Sequence, residues 1–113
     1  MKTFHYKFTF TEGDFCIYIG KYEDGGDTAL LLYKKNGKGF EYCADITKNI
    51  DFRSCLDTNN FPEVEKLFKD MEFGEDTGFT FRSGFCQYPI YIFNMENLKK
   101  YQITDEELDE YEM

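Results

Sequence analysis

The side chains that could carry covalent chemistry are few and widely separated in the chain. Cys86 and Ser83 are the candidate nucleophiles, and His5, the single histidine, is the imidazole that could act as a base. Nucleophilic catalysis needs the base within hydrogen-bond reach of the nucleophile and a third group that orients the base. The spacing indicates no such arrangement, and a thiol such as Cys86 in a core strand is inert. We therefore expect a protein that is not an enzyme, with no catalytic residue.

The residues that bind metals and phosphates also lack the spacing that such sites need. Zinc sites use paired ligands at short spacing, whereas the cysteines contain no Cys-x-x-Cys pair. The turn at Gly25-Gly26 is followed by neither Gly-Lys-Ser/Thr nor a helical pattern, so it is not a phosphate loop. We expect no metal, no cofactor and free thiols, although a disulfide is also compatible with the sequence. The cysteines are Cys16, Cys43, Cys55 and Cys86.

The net charge of the chain is −9 and is concentrated in the second half. Residues 1–60 carry 8 Lys and Arg against 9 Asp and Glu, whereas residues 61–113 carry 5 against 13, a net charge of −8. An acidic half disfavours direct nucleic-acid binding, which needs Lys and Arg on phosphates, and favours a basic surface of a partner protein. The alternative is that the carboxylates only solvate the surface. The partner-binding candidates near the C-terminus are Asp105, Glu106, Glu107, Asp109 and Glu110.

Length and composition indicate one small folded domain. The chain has 113 residues, of which 42% are hydrophobic and 19% aromatic, and this composition is too apolar for intrinsic disorder. No apolar run approaches the roughly 20 residues that a membrane helix needs. Residues 1–10 lack the continuous apolar segment of a signal peptide. We expect a cytoplasmic protein that makes no membrane contact.

Alternating apolar and polar residues in the first half predict four antiparallel strands. Residues 2–10 place four aromatic rings on one face and polar side chains, including His5, on the other, which is typical of a strand with one buried face. Asn36-Gly37 is a strong hairpin signal, and short turns between successive strands favour a meander. The predicted strands are residues 2–10, Phe15–Glu23, Thr28–Lys35 and Phe40–Thr47, with a break in the pattern over Lys48–Asn60.

The stretch Thr77–Asn94 predicts a hairpin rich in aromatic residues. Pro89 has no N–H and excludes a helix through this stretch, so a strand at a sheet edge, or a strand start, is expected there. Gly84 is expected to provide a positive φ in the turn, with Phe85 and the later rings pointing inward. Either this segment is a core hairpin or its turn lines a binding site with its backbone. The second alternative adds three partner-binding candidates: Arg82, Ser83 and Gly84.

Two segments have helical signals. Asn60 is the expected N-cap of a helix over Phe61–Glu72, and Gly74 lies where a C-terminal cap belongs. Thr104–Glu107 is a second capping-box pattern, which opens an acidic segment that is marginal as an isolated helix. The apolar stripe of the first helix, expected to pack on the sheet, is Val64, Leu67, Phe68 and Met71.

The predicted fold is α+β: an antiparallel sheet of about five strands, with one main helix on one face and an acidic C-terminal helix or tail. We expect residues 1–103 to form a single domain. Residues 104–113 are expected to be a mobile tail that can be removed without unfolding that domain.

Several short motifs are similar to those of one bacterial family. They are Asp57–Asn60 ahead of the helix, Thr77-Gly78, Arg82–Cys86 and the pattern Tyr88-Pro89-x-Tyr91-x-Phe93. Together they resemble the domain-of-unknown-function family forty-three-thirteen over most of residues 15–98. The resemblance implies a small accessory protein of a plasmid, conjugative element or phage of gut bacteria. It implies no activity for any residue.

Three kinds of function are compatible with these observations. The first is a non-enzymatic protein that binds a basic surface of a host protein. In the mobile-element context the target would be a defence nuclease, and the protein an inhibitor of anti-restriction or anti-CRISPR type whose carboxylates stand in for DNA phosphates. The second is a structural or self-associating module, such as a homodimer, that uses an aromatic sheet face. The third is a small enzyme that uses Cys86 or Ser83.

Overall fold

The chain folds mostly into antiparallel strands, which a few short helices accompany. A computed structural model describes residues 2–23, 27–51 and 53–112, the last three of them by their backbone alone. No helix within these ranges is long and apolar enough to cross a membrane. In chain order the elements are β1 (Phe4–Lys7), β2 (Glu12–Lys21), β3 (Thr28–Asn36), β4 (Gly39–Asp45), β5 (Thr47–Ile50), β6 (Arg53–Leu56), α1 (Val64–Met71), β7 (Gly74–Ser83), β8 (Cys86–Phe93), α2 (Met95–Lys99), β9 (Gln102–Ile103) and α3 (Asp105–Glu112).

The main sheet has five strands, in agreement with the expected sheet of about five. Strands β1 to β4 form the antiparallel meander that the alternation predicts. The short β9 pairs in parallel with β2 at Ile17 and Tyr18, and the Ile17 N–H donates to the Tyr101 carbonyl at 2.8 Å. The C-terminal part of the chain is thereby fastened to the first hairpin.

Strand β2 is buried on both faces because different elements cover the two sides of the sheet. Phe15 and Ile17 belong to the larger core, which also contains the buried side chains of α1. Cys16, between them, points to the opposite face and packs with Ile103 and Leu108. Because successive side chains of a strand point to opposite faces, α1 and α3 lie on opposite sides of the sheet.

The first strand is shorter than the alternation over residues 2–10 predicts. Phe4 and Phe8 are buried and Tyr6 is half-buried, as expected for one inward face, but Phe10, expected on the same face, is 56% exposed. Strand β1 nevertheless ends at Lys7, because the Phe8 N–H turns back to the Thr11 carbonyl at 2.8 Å. Gly25 and Gly26, expected to form the turn after β2, lie outside the described residues.

A second hairpin, β5–β6, occupies the segment where the sequence predicts a break. The chain leaves β4 at Ile46, whose N–H donates to the Leu30 carbonyl at 2.9 Å. The buried Thr47 hydroxyl accepts the Leu30 N–H at 3.0 Å. Few apolar residues alternate in this segment, so the periodicity gave no signal. What fastens the hairpin is a set of long-range hydrogen bonds to β3.

Helix α1 begins at Val64, not at Phe61, and Asn60 is not its N-cap. The Asp57 carboxylate accepts hydrogen bonds from the Asn60 N–H and side-chain amide, at 3.3 and 3.0 Å, which holds Asn60 in the preceding turn. The cap residue is Glu63, which makes no side-chain cap. Its carboxylate instead accepts the Thr9 N–H at 2.9 Å and joins the start of α1 to the first hairpin.

The end of α1 is capped by Glu72, so the expected cap at Gly74 is wrong. Glu72 takes the left-handed conformation (φ 55°), and the Phe73 N–H donates to the Phe68 carbonyl at 2.9 Å, the bond of a Schellman motif. Gly74 is the first residue of β7, where a Cβ would lie 2.7 Å from the Ile92 carbonyl oxygen. The glycine is therefore needed for close pairing with β8.

Strands β7 and β8 form a separate two-stranded sheet closed by Gly84 and Phe85. The expected positive φ at Gly84 is confirmed at 62°. The expected inward position of Phe85 is wrong, because its side chain is fully exposed. The two central residues of a two-residue turn lie beyond the last strand pair, here Ser83 and Cys86, so Phe85 has no neighbouring layer to pack against.

The two faces of β8 are covered at opposite ends of the strand. Tyr88 is buried against Ile50 and Cys55 of the β5–β6 hairpin. On the other face the Tyr91 ring packs edge-on against Phe68 of α1, with centroids 5.7 Å apart. Pro89 lies in the middle of β8 rather than at its start, and as expected it lies in an edge strand, since this sheet has two strands.

The acidic C-terminal segment is a helix, one of the two forms, helix or tail, that the sequence predicts. Helix α3 has eight residues, as many as α1, so the expectation of one main helix is not confirmed. Leu108 is 8% exposed and packs with Cys16 and Ile103, while the helix lies against β4. The boundary between residues 1–103 and 104–113 stays a prediction of the sequence.

Candidate functional site

The residues considered for nucleophilic chemistry lie on separate elements. His5 lies on β1, and its ring nitrogens are 3.0 Å from carboxylate oxygens of Glu12 and Asp14 on the neighbouring strand. These hydrogen bonds, that of Glu12 first, raise the pKa of His5 above its ordinary value of 6.5. Ser83 and Cys86 form the last pair of β7–β8. The structure therefore gives His5 carboxylate neighbours instead of a nucleophile.

The cysteines are free thiols, as expected. Cys16 and Cys55 are buried, and burial raises the pKa of Cys16 to about 12 and that of Cys55 to about 11. A thiol with such a pKa is protonated near neutral pH and is therefore a weak nucleophile. Across the part of the chain that the structure describes, no three His, Cys, Asp or Glu residues are grouped to hold a metal ion.

The predicted partner-binding residues fall into two groups on different elements. Arg82, Ser83 and Gly84 are exposed at the tip of the β7–β8 hairpin. The acidic candidates lie on α3, which covers the opposite side of the main sheet from α1. The β7–β8 hairpin, which carries the first group, packs on β5–β6 through Phe81 and Tyr88. The two groups therefore belong to two surfaces.

Helix α3 starts with the capping box that the sequence predicts. The Thr104 N–H donates to the Glu107 carboxylate at 3.1 Å, and the Glu107 N–H donates to the Thr104 hydroxyl at 3.3 Å. Asp105 is exposed, and its hydrogen bonding to Tyr18 is the largest cause of the raised pKa of that phenol. The Glu107 carboxylate therefore positions the start of α3.

Two further carboxylates of α3 face solvent. Glu106 and Asp109 are exposed, and the helix contains no basic residue that could neutralise them. Leu108, buried between α3 and the sheet, fixes which side of the helix faces solvent. The side chain of Glu110, the remaining candidate, lies outside the described residues. The structure thus separates Glu107, which caps the helix, from the exposed candidates Asp105, Glu106 and Asp109.

A groove of about 660 Å³, which the sequence did not predict, lies between the end of α1, the start of β7 and the end of β8. Its apolar lining includes Phe68, Tyr91, Phe93 and Ile92, and Ile92 is 65% exposed. The Tyr91 hydroxyl donates to the Glu65 carboxylate at 2.8 Å. Burial, and then this hydrogen bond, raise the pKa of Tyr91.

The charged lining of this groove is negative. Glu72, Glu75 and Asp76 contribute three exposed carboxylates, and Lys69 contributes one cation. Asp76 accepts the Gly78 N–H at 2.9 Å, whereas neither Glu72 nor Glu75 has an ion-pair partner among the described residues. The groove residues come from four elements, so no short sequence motif signals them.

Several large apolar side chains are exposed on the β7–β8 hairpin. Phe79 is 72% exposed and Phe85 fully exposed, and Ile92 is the third member of this group. Phe79 lies within the register shift between Asp76 and Thr80, where Gly78 has a φ of 84°. The sequence predicted Phe85 to lie inward and made no prediction for Phe79, because the register shift is not visible in the alternation.

Comparison with known proteins gives one family. Residues 16–113 match the family described as Domain of unknown function (DUF4313). Neither the curated proteins nor the solved structures contain a match to this chain.

Proposed function

The chain belongs to the family described as Domain of unknown function (DUF4313), and we propose that it is a non-enzymatic module that binds a basic surface of another protein. The observation that carries the proposal is the position of Glu106 and Asp109. Both are exposed on a helix that Leu108 and the capping box hold against the sheet. Fixed carboxylates lose less conformational freedom on binding than carboxylates on a flexible tail.

The charge distribution supports a basic partner. Residues 61–113 have a net charge of −8, and α3 contains no basic residue. A concentrated negative field accelerates association with a positively charged surface and repels phosphate backbones. Direct nucleic-acid binding is therefore not part of the proposal.

The finer proposal concerns the identity of the partner. We infer a cytoplasmic accessory protein of a mobile element or phage that inhibits a host defence nuclease. Its support is the resemblance of the chain to accessory proteins of mobile elements, together with carboxylates that could occupy the positions of DNA phosphates. An anti-restriction or anti-CRISPR role would follow from such mimicry.

Capture of proteins from a host lysate tests the proposal, provided that a control variant carries the same change in net charge as the α3 variant. The full chain is immobilised as wild type, as the double variant Glu106→Gln/Asp109→Asn, and as the control Glu23→Gln/Asp51→Asn. The two variants change the net charge equally, but the control residues lie outside α3. Asn is tolerated at position 51, where φ is 49°. Captured proteins are compared at low and high salt.

We expect a basic protein that the wild type and the control capture at low salt, and that the α3 variant loses. Equal loss in both variants would mean that net charge alone attracts the protein, which contradicts a binding surface on α3. Absence of any salt-sensitive partner would sink the proposal. A captured protein that is not a nuclease would overturn the finer proposal and leave the binding function in place.

Self-association is the second candidate function, favoured by the exposed Phe79 and Phe85. Aromatic side chains of this size are costly to leave in water and are enriched in protein interfaces. Here the partner would be a second copy of the chain.

A further inference from the structure

The groove beside α1 combines exposed apolar side chains with unbalanced negative charge. We propose that it binds a segment of a partner protein in which a lysine or arginine lies next to an aliphatic or aromatic residue. This site is separate from α3. The inference rests on the proposed function in one respect: both take the binding partner to be a protein. It supplies chemistry that α3 lacks, namely an apolar contact.

The size and lining of the groove fit side chains of such a segment. Its volume of about 660 Å³ is within the range of roughly 300–1,000 Å³ that is usual for binding clefts. Tyr91 and Phe93, which are half-buried, supply aromatic surface, and their ring centroids lie 5.7 and 6.0 Å from that of the fully buried Phe68. Ile92 at the rim is 65% exposed, so an apolar side chain of the occupant would cover surface that is now in water.

The charges favour a cation beside that apolar side chain. Glu72, Glu75 and Asp76 outnumber Lys69, and the groove lies at the C-terminal end of α1, where the helix dipole is negative. The neighbouring part of the groove is apolar, which suits lysine and arginine because their aliphatic stems pack on such surface while the charged ends reach a carboxylate. Charge complementarity thus selects a basic occupant over an acidic one.

The groove is held open by the backbone around it. Asn97 donates from its side-chain amide to the Glu72 carbonyl at 2.8 Å, which joins α2 to the end of α1. Gly74 lets β7 lie close to β8 and Phe68 beside the groove, since a Cβ there would be 3.3 Å from the Phe68 ring and 2.7 Å from the Ile92 carbonyl oxygen. A site formed before binding avoids the cost of ordering it.

A labelled peptide tests the inference on the full chain. The probe is a short fluorescein-labelled peptide of alternating arginine and leucine, compared with peptides in which glutamate replaces arginine or serine replaces leucine. Binding is measured by fluorescence polarisation to the wild type, to Glu72→Gln/Glu75→Gln and to Ile92→Thr. The matched controls are Glu23→Gln/Asp51→Asn for charge, at exposed residues outside both the groove and α3, and Phe85→Ser for an exposed apolar residue outside the groove. Amide chemical shifts locate the bound peptide.

We expect the arginine–leucine peptide to bind best and to shift the amides of residues 72–76 and 91–94. Each groove variant should weaken it at least about threefold, and each control less than about twofold. Equal weakening by the charge control, or equal binding of the serine peptide, would show non-specific charge attraction and overturn the inference. If the peptide test fails but lysate capture depends on α3, this inference is overturned and the proposed function stands. If lysate capture fails but the peptide binds in the groove, only the proposed function is overturned.

Discussion

At the scale of residues, the exposed His5 interacts with two carboxylates of the neighbouring strand. Its ring lies between Glu12 and Asp14, each 3.0 Å away, on the outer face of the first hairpin. The hydrogen bonds favour the charged imidazolium and therefore raise the pKa of His5. The stabilisation that this cluster contributes is complete below the unfolded pKa and is lost as the pH rises through the folded pKa.

The first prediction is the titration of His5. Because the sequence contains a single histidine, its imidazole resonances in an NMR pH titration are unambiguous. We expect a pKa above 6.5 in the wild type and a lower value in Glu12→Gln, since the hydrogen bond to Glu12 is the larger cause of the shift. A pKa at or below 6.5 in the folded protein would mean that the carboxylates do not bond to the ring.

The second prediction compares two glycines that are required for different reasons. Gly84→Ala should destabilise the fold by about 1 kcal/mol, because a φ of 62° is unfavourable for alanine while the space around the Cβ is empty. Gly74→Ala should cost more, on the order of 2 kcal/mol, because its Cβ would overlap the Ile92 carbonyl. Urea unfolding measures both. The reverse order would contradict the β7–β8 pairing described above.

At the scale of elements, α3 shows what a local pattern can and cannot predict. Its capping box is readable from the sequence because the interaction joins residues three apart, Thr104 and Glu107. Its docking is not readable, because Leu108 meets Cys16 and Ile103 through the fold. An acidic segment with few apolar residues is unstable as an isolated helix, so the sequence left both a helix and a tail open, and the structure has the helix.

The third prediction tests that docking. Leu108→Ala should lower the free energy of unfolding by about 2 kcal/mol, because it removes a buried side chain between α3 and the sheet. Asp109, the exposed neighbour of Leu108, serves as the control. Asp109→Ala should change the free energy of unfolding by less than about 0.5 kcal/mol. A neutral Leu108→Ala would restore the earlier expectation that residues 104–113 can be removed without loss.

At the scale of the whole molecule, the sequence predicted the elements with clear periodicity and missed the features that depend on their assembly. The meander and Gly84 were predicted because alternation and turn chemistry are local. The hairpin β5–β6 was missed because its hydrogen bonds run to β3. The start of α1 was misplaced because Asp57 holds Asn60 in a turn. The groove was missed because its lining comes from four elements.

The fourth prediction concerns oligomeric state. A net charge of −9 opposes association of identical chains, so light scattering at high micromolar concentration should give the mass of a monomer at low salt. A dimer that Phe85→Ser dissociates would instead favour the self-associating function, since Phe85 is fully exposed at the hairpin tip.

The most direct test of the binding proposal is a photo-crosslink from α3. A photoreactive amino acid replaces Asp109 in one preparation and Glu23, also exposed and outside α3, in another, and each is irradiated in host lysate. We predict that position 109 forms an adduct with a basic protein at low salt, that high salt suppresses the adduct, and that position 23 forms none with that protein. Adducts of equal yield from both positions, or from position 23 alone, would contradict a partner-binding surface on α3.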